Sequence, residues 1–346
     1  MQDYIATPPH TTFGHKQHAH CESGVTANLL RHAGIAISEP MAFGIGAGIF
    51  FGHLPFVKVS GIPGTTFRIW PGYIFKRVCQ RLGVGTKAQK FGNRAAAAQA
   101  LDEALAQGVP VGMMAGVYYL DYLPEAFRFH FNAHNLIVYG KDKEGQYLVS
   151  DPVLEATSTI GSEALLDARF AKGFPEPKGR MYYITRVPEK VDFTKGIMDG
   201  IKQTCFFMTS PPVSWFGVNG IYLLAKKIAQ YPAKLSPRQA ALYLGNIIRM
   251  QEEIGTGGGG FRFLYAAFLQ EAAKYLQNEA LAEFSKRYTA IGDQWRHFAY
   301  STARICKARN SDLVSFRELA KLLADIADKE KAFFADLKKW AKNHRA

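Results

Sequence analysis

The chain has 346 residues, a formal net charge of +13 and a hydrophobic fraction of 48%. This composition excludes a disordered protein and leaves room for two globular domains. No stretch long enough to cross a membrane is free of charged and polar residues, and the N-terminus lacks the basic-then-apolar pattern of a secretory signal. Because the four cysteines are too scattered for a disulfide framework, we expect a cytoplasmic protein.

The positive charge is concentrated in the second half, where residues 191–346 carry 23 Lys and Arg against 14 Asp and Glu. A basic surface attracts nucleic acids, anionic membranes or acidic proteins. The sequence has no zinc-finger spacing, no RNP-like aromatic motif and no run of Lys and Arg, so we expect no nucleic-acid partner. An acidic protein partner is compatible with this charge.

In chain order, the first feature of chemical interest is the stretch HAHCES at residues 18–23. A helical pattern follows it, with Val25, Leu29 and Leu30 on one apolar face. A thiol at a helix N-terminus meets the positive end of the backbone dipole, which stabilises the thiolate. The pattern predicts that Cys21 is a nucleophile, with a buried structural cysteine as the alternative.

Histidines surround Cys21 and raise the alternative of a metal site, because imidazole and thiolate both bind zinc. They are His10, His15, His18, His20 and His32. Short-range ligand groups of this kind normally work with a second, distant pair, and the chain has no C-x2-C or H-x3-5-H partner motif. We therefore expect no metal. A metal-binding or interaction protein that uses this histidine cluster is the non-enzymatic alternative.

The middle of the first half alternates between helical and extended patterns. The GxGxG motif within residues 38–48 lacks the preceding strand and following Lys of a phosphate loop, so tight packing is favoured. Glu39 is expected to start a helix; its alternative role is a carboxylate that supports the site or binds substrate. The next predicted elements are strands within residues 50–70, a helix over 71–82, a helix over 95–108 and a buried strand over 109–117.

A β-hairpin follows, and it carries the second and third candidate catalytic residues. His134 opens an apolar run at residues 136–139, a polar stretch at residues 141–146 forms the turn, and the returning strand ends at Asp151. With the turn centred on residues 143–144, the numbers of paired residues sum to about 287, which makes His134 and Asp151 diagonal neighbours on one face. A register slip of one residue would separate them.

Cys21, His134 and Asp151 together match a nucleophile, its base and the carboxylate that orients the base. The same three roles would serve an acyltransferase, a thioesterase, or a cysteine peptidase or amidase. These reactions differ only in the acyl donor and in whether an amine or water accepts the acyl group.

These motifs resemble a known family. H-C-E-S at residues 20–23, S-E-P-M-A-F-G-I-G-A-G at 38–48, and H-N-L-I-V-Y-G with Y-L-V-S-D-P at 134–140 and 147–152 resemble the papain-like fold of the bacteriocin-processing C39-type peptidases. More narrowly, they resemble the N-terminal domain of the butirosin biosynthesis protein H family. G-T-G-G-G-G-F-R-F-L-Y-A-A-F-L-Q-E-A-A at 255–273 resembles the helical domain that often follows it.

The resemblance implies an α+β fold, with a papain-like catalytic domain over residues 1–190 and an all-α domain over residues 191–346. It also implies an acyltransferase that moves an acyl group from an acidic acyl carrier protein to a small amine. The resemblance implies no cofactor, because 4′-phosphopantetheine takes part only as a component of the carrier protein. The peptidases use a Gln six residues before the nucleophile as oxyanion donor. Here that position is His15 and Gln17 is four residues before, so the donor stays open between these two and a backbone N–H.

The second half is predicted to be helical over residues 193–208, 218–229, 236–255, 261–277, 279–307 and 311–343. The glycine-rich loop at residues 255–260 precedes Arg262, and the two could bind an anion; the alternative is a hinge or a tight helix crossing. Gln270 and Glu271 on the next helix are candidates for binding the amine acceptor. The sequence leaves the oligomeric state, monomer or homodimer, open.

Overall fold

The computed structural model describes residues 2–3, 13–59, 61–307 and 316–344. The chain divides into two compact units. The first comprises Met1–Ala42 and Ile74–Asp192, and the second comprises Phe43–Tyr73 and Phe193–Ala346. Helices and strands are mixed, as the predicted α+β class requires. Within the described ranges, no helix combines the length and the apolar character needed to cross a membrane.

The helices are α1 (Cys21–His32), α2 (Glu39–Ile45), α3 (Tyr73–Arg81), α4 (Arg94–Ala106), α5 (Ser162–Arg169), α6 (Phe193–Thr209), α7 (Gly217–Lys234), α8 (Pro237–Ile248), α9 (Arg262–Leu276), α10 (Glu279–Cys306) and α11 (Phe316–Asn343). The strands are β1 (Gln2–Asp3), β2 (Ile49–Val59), β3 (Ile62–Arg68), β4 (Gly85–Gln89), β5 (Val111–Ala115), β6 (His134–Lys141), β7 (Tyr147–Ser150), β8 (Ser158–Ile160) and β9 (Met181–Val187). The sequence patterns predicted most of these elements but missed the short strands β1, β4 and β8.

An antiparallel sheet organises the first unit, with the order β1-β9-β5-β6-β7-β8 and with β4 also paired to β9. In the central hairpin, Ile137 pairs with Ser150 and Val138 with Val149, which confirms the predicted register near His134. A bulge after Val138 shifts the pairing by one residue towards the turn. β6 is buried on both faces from His134 to Val138, so a slip of one residue would move His134 to the opposite face and disturb the packing of both.

Helix α1 packs against β6 and begins at the nucleophile candidate. Its N-cap, His20, is extended, and the His20 side chain accepts a hydrogen bond from the backbone N–H of Ser23. Val25, Leu29 and Leu30 are buried as expected, but so is every other residue from Cys21 to Leu30, so α1 is enclosed on all sides in its first turns. Cys21 is therefore held at the N-terminal end of a helix that packs against the sheet.

The second unit is mainly helical, but it also contains the β2–β3 hairpin. Phe51 on β2 and Phe67 on β3 pack against Trp295, with ring centroids 5.9 and 5.4 Å apart. The sequence-based division placed residues 43–73 in the N-terminal domain and expected an all-α second domain. The structure differs because these aromatic side chains are buried among helices of the second unit, and strand periodicity does not reveal which layer covers a hairpin.

Candidate active site

His134 and Asp151 form a buried pair across the hairpin. The Nε2 atom of His134 lies 2.7 Å from Oδ2 of Asp151, a distance typical of a short charge-assisted hydrogen bond. His134 is 6% exposed and Asp151 is fully buried. The diagonal relation expected from the register thus becomes a direct contact.

Cys21 lies on the other side of the imidazole. The residue is 8% exposed, and its Sγ lies 4.0 Å from the carbonyl oxygen of Ala133. Cys21 also contributes to the pKa shift of His134, which makes the two side chains neighbours. Because Asp151 occupies Nε2, we assign Nδ1 as the ring nitrogen that faces the sulfur. The structure therefore brings the three predicted side chains together in one chain of contacts.

The surroundings of His134 favour the imidazolium. Burial lowers the pKa of the ring, but the charge and hydrogen bond of Asp151, together with Cys21, outweigh burial and raise this pKa to about 10. Burial acts to raise the pKa of Asp151, but His134, Tyr122 and the backbone N–H of Val153 lower it below its ordinary value. At neutral pH the two side chains are an imidazolium and a carboxylate.

This pairing predicts a pH dependence of stability. The pKa of His134 is 6.5 in a free imidazole and about 10 when folded, so only the folded state holds the proton between these values. The free energy of unfolding should be highest below pH 6.5 and should fall towards pH 10, by at most about 1.4 kcal/mol per pH unit. Urea unfolding across this range measures the slope. The His134→Gln variant should lose that dependence, and an unchanged slope in the variant would contradict the assignment.

Two further groups hold Asp151, and the first of them was not predicted from the sequence. The hydroxyl of Tyr122 donates to Oδ2 at 2.8 Å, and the backbone N–H of Val153 donates to Oδ1 at 3.2 Å. Burial, followed by the charge and hydrogen bond of Asp151, raises the pKa of Tyr122 well above its ordinary value. Tyr122 lies in the irregular segment between β5 and β6, where no periodicity indicates which of several aromatic residues faces the site.

Glu39 holds the turn that precedes Cys21. Its Oε1 accepts from the backbone N–H of His20 at 2.7 Å and from the Ser23 hydroxyl at 3.0 Å, and its Oε2 accepts from the backbone N–H of Ala19 at 2.9 Å. It is also the first residue of α2, as predicted. Both carboxylate oxygens of Glu39 accept hydrogen bonds from the protein, so Glu39 fixes the backbone that leads into Cys21.

The two side chains proposed as oxyanion donors lie along the segment that carries Asp151. The ring nitrogens of His15 contact the Ser150 hydroxyl at 2.8 Å and the Leu154 carbonyl at 3.1 Å. Since both are occupied, His15 is not a free donor, and this expectation is corrected. Gln17 is exposed, and its amide donates to the carbonyl of Val153 at 3.3 Å.

The histidine cluster serves separate hydrogen bonds. Nε2 of His18 lies 3.0 Å from the side-chain oxygen of Asn28, and Nδ1 of His20 lies 2.9 Å from the Ser23 hydroxyl. Among the residues that the structure describes, no three His, Cys, Asp or Glu side chains are grouped so that they could bind a metal ion. His10 lies outside the described residues. The geometry does not support the metal-site alternative.

Gly24, in the first turn of α1, makes the close packing of this helix possible. A Cβ at this position would lie 2.7 Å from Cβ of Pro152 and 2.8 Å from Cβ of His18. We expect Gly24→Ala to lower the free energy of unfolding by about 1–3 kcal/mol and to slow catalysis, because α1 must move away from the hairpin. Urea unfolding measures this. Gly92→Ala, where a new Cβ meets nothing within 4 Å, is the control and should be nearly neutral.

Arg262, predicted to bind an anion, is a buried structural residue of the second unit. Its Nε and Nη2 lie 2.8 and 3.1 Å from the two carboxylate oxygens of Glu330, and its Nη1 donates to the carbonyl of Gly260 at 2.8 Å. The indole N–H of Trp295 donates to the same carboxylate at 2.8 Å. A guanidinium that is fully buried and paired in this way does not reach a ligand, so the prediction is corrected.

The glycine-rich loop is likewise a packing feature. Gly258, Gly259 and Gly260 are buried with positive φ, and a Cβ on Gly260 would lie 2.4 Å from the Phe67 ring. This matches the alternative of a tight crossing. On α9, Gln270 is exposed and Glu271 is half-buried, and their role in binding an amine stays a prediction.

Two families of known proteins match successive parts of the chain. A family described as "Butirosin biosynthesis protein H, N-terminal" matches residues 20–152, a range that includes Cys21, His134 and Asp151. A second family, described as "Domain of unknown function (DUF4872)", matches residues 163–337. No curated protein matches the chain significantly. The chain belongs to the family described as "Domain of unknown function (DUF4872)", which matches just over half of it, and its N-terminal part is similar to the N-terminal domain of butirosin biosynthesis protein H.

Proposed function

We propose that this protein is a biosynthetic acyltransferase that moves an acyl group from a thioester to an amine through an acyl-enzyme on Cys21. The observation that carries the proposal is the chain of contacts from the Cys21 thiol through His134 to Asp151, with 2.7 Å between the imidazole and the carboxylate. A nucleophile, its base and an orienting carboxylate in direct contact are the equipment of covalent acyl transfer.

In the first half-reaction, the Cys21 thiolate attacks the carbonyl carbon of the thioester. The tetrahedral intermediate collapses, the bond to the donor sulfur breaks, and the His134 imidazolium protonates the departing thiolate. The products are a Cys21 thioester, a free donor thiol and a neutral imidazole. Asp151 keeps the ring oriented throughout through Nε2.

In the second half-reaction, the amine attacks the Cys21 thioester and neutral His134 takes the proton that the amine must lose. The amide leaves and the thiolate–imidazolium pair is restored. Acylation itself prepares this step, because Cys21 is one of the groups that raise the pKa of His134 and its thioester carries no negative charge. Losing the Cys21 charge lowers the pKa of His134, so the ring gives its proton to the departing donor thiolate and is neutral when the amine arrives.

The backbone N–H of Cys21 is our first candidate for stabilising the oxyanion. As the first residue of α1, Cys21 has an N–H group without an intrahelical partner, and it lies at the positive end of the helix. The Gln17 amide is the second candidate. Its exposed side chain would have to exchange its 3.3 Å contact with Val153 for the substrate.

The family name supports a biosynthetic role, and the resemblance supports an acyl carrier protein as donor and a small amine as acceptor. The net charge of +13 is compatible with an acidic carrier. In this proposal, 4′-phosphopantetheine is part of the donor, and no resident cofactor takes part in the reaction.

The test is intact-protein mass spectrometry after incubation with a panel of acyl thioesters on phosphopantetheinyl carriers, followed by peptide mapping. The proposal requires an acyl adduct on Cys21 that a panel of amines discharges as amides. Discharge to the free acid at an equal rate with and without amine would assign a thioesterase instead. Absence of an adduct with every donor, together with cleavage of peptide or amide substrates, would assign a peptidase or amidase.

A further inference from the structure

An open cavity of about 440 Å³ lies within the second unit, and none of the residues that line it belongs to the proposed catalytic site. Its walls come from the end of α6, the first turn of α7 and one face of α11. This volume is in the range of small-molecule sites.

The lining from α11 is strongly basic. Lys331, Lys338, Lys339 and Lys342 line the cavity, and Ala335 lies among them on the same face of the helix. The spacing brings these positions together on neighbouring turns, and the small alanine leaves the concave space between the longer side chains.

No carboxylate neutralises these four lysines in the part of the chain that the structure describes. Lys338 donates to the hydroxyl of Ser210 at 3.2 Å, and none of the four takes part in an ion pair within that part. Asp336, a carboxylate on the same helix, pairs instead with Arg287 of α10. Like charges on neighbouring helical turns repel one another, and a bound anion would remove this repulsion.

The other lining residues suit a phosphate attached to an organic group. Ser210, Thr209 and Asn219 offer hydroxyl and amide donors, whereas Met208 and Val218 provide apolar wall. The end of α6 and the start of α7 present opposite ends of their helix dipoles, so the positive field comes from the lysines. Compact multivalent anions can be shared by several ammonium groups in one concave site, which favours phosphate over the carboxylates of a flat acidic surface.

We propose that this cavity binds a phosphate ester of a small molecule. The proposal does not depend on the chemistry of Cys21. It assigns a ligand-binding role to the part of the second unit formed by α6, α7 and α11.

Isothermal titration of the full-length protein with inorganic pyrophosphate, used as a diphosphate probe, tests the site. We expect one binding site per chain, at least tenfold weaker binding in the Lys338→Gln/Lys342→Gln double variant, and weaker binding as salt rises. The control is Lys226→Gln/Lys321→Gln, which removes the same charge from exposed lysines outside the cavity and should change affinity less than twofold. Cys21→Ser should bind pyrophosphate as the wild type does.

Three results would overturn the proposal. They are the absence of pyrophosphate binding at millimolar concentration, an equal loss of affinity in both double variants, and tighter binding of a poly-glutamate peptide than of pyrophosphate at the same lysines. The last result would assign the cavity to an acidic protein segment. Circular dichroism of both double variants confirms that the fold is retained, since the substituted side chains lie at the surface.

Discussion

Replacing Cys21 with Ala is expected to lower the rate of acyl transfer by about 10³-fold or more, to the level supported by binding alone. The sulfur is the atom that carries the acyl group, and no other group in the site can replace it. A continuous assay of donor thiol release, run beside mass spectrometry of the protein, measures both the lost rate and the lost adduct.

Cys306 provides the matched control for this substitution. It is a half-buried thiol of the second unit that donates to the carbonyl of Ala241 at 3.5 Å, and burial raises its pKa. Cys306→Ser should keep near-normal turnover and the same adduct on Cys21. If Cys21→Ala retained wild-type turnover, the covalent route would be excluded.

The second large effect is expected from Asp151→Asn. The variant keeps a side chain of the same size but loses the charge that holds the His134 imidazolium, and its amide N–H₂ meets the donors of His134 and Tyr122. In a comparable catalytic triad the same exchange costs about 10⁴-fold in kcat, and we expect a loss on the order of 10³–10⁴-fold here. The pH profile of kcat should also change, because the pKa of His134 falls when the carboxylate is lost.

Tyr122→Phe is a milder variant that perturbs the same carboxylate. It removes one hydrogen bond to Asp151 but leaves the charge, so we expect a loss of about tenfold and a small change in the pH profile. If the losses came from a structural defect, the activity of both variants would fall in proportion to their loss of stability. A charge effect predicts that Asp151→Asn is far worse than Tyr122→Phe even at equal stability, and equal losses would contradict the role given to the carboxylate.

The catalytic core could be predicted from the sequence because local signals define it. The turn at residues 141–146 predicts the pairing of Ile137 with Ser150, and this pairing brings His134 towards Asp151. The bulge after Val138 changes the register only on the side of the turn. The placement of Cys21 at a helix start follows from the helical periodicity and the residues that precede it.

Of the residues that support the core, Tyr122 could not be predicted, and Glu39 is expected as a supporting carboxylate only as the alternative to a helix start, because their partners are distant in sequence. Tyr122 lies in a segment without periodicity, and Glu39 reaches back to the backbone of residues 19 and 20. A carboxylate that accepts hydrogen bonds from distant backbone N–H groups has no characteristic sequence pattern. The same reason explains His15, whose side chain serves the hairpin instead of the oxyanion.

In the second unit the patterns predicted the helices, and for the glycine-rich loop they left anion binding and a tight helix crossing open. Arg262 follows the glycine-rich loop as an anion-binding residue would, but its partner is Glu330, 68 positions later. Helical periodicity alone predicts that Lys331, Lys338 and Lys342 lie on a solvent-exposed face of α11. The cavity beside them forms only because α6 and α7 pack against α11.

The most direct test of the central claim is the alkylation of Cys21 by iodoacetamide at about pH 6.5, followed by peptide mapping in the wild type and in His134→Ala. Cys79 and Cys205 are internal references, since burial raises the pKa of both thiols. A thiolate held by the imidazolium should give rapid, stoichiometric labelling of Cys21 that His134→Ala abolishes while the fold is retained. Slow labelling of Cys21 in the wild type, or equal labelling in the variant, would contradict the account.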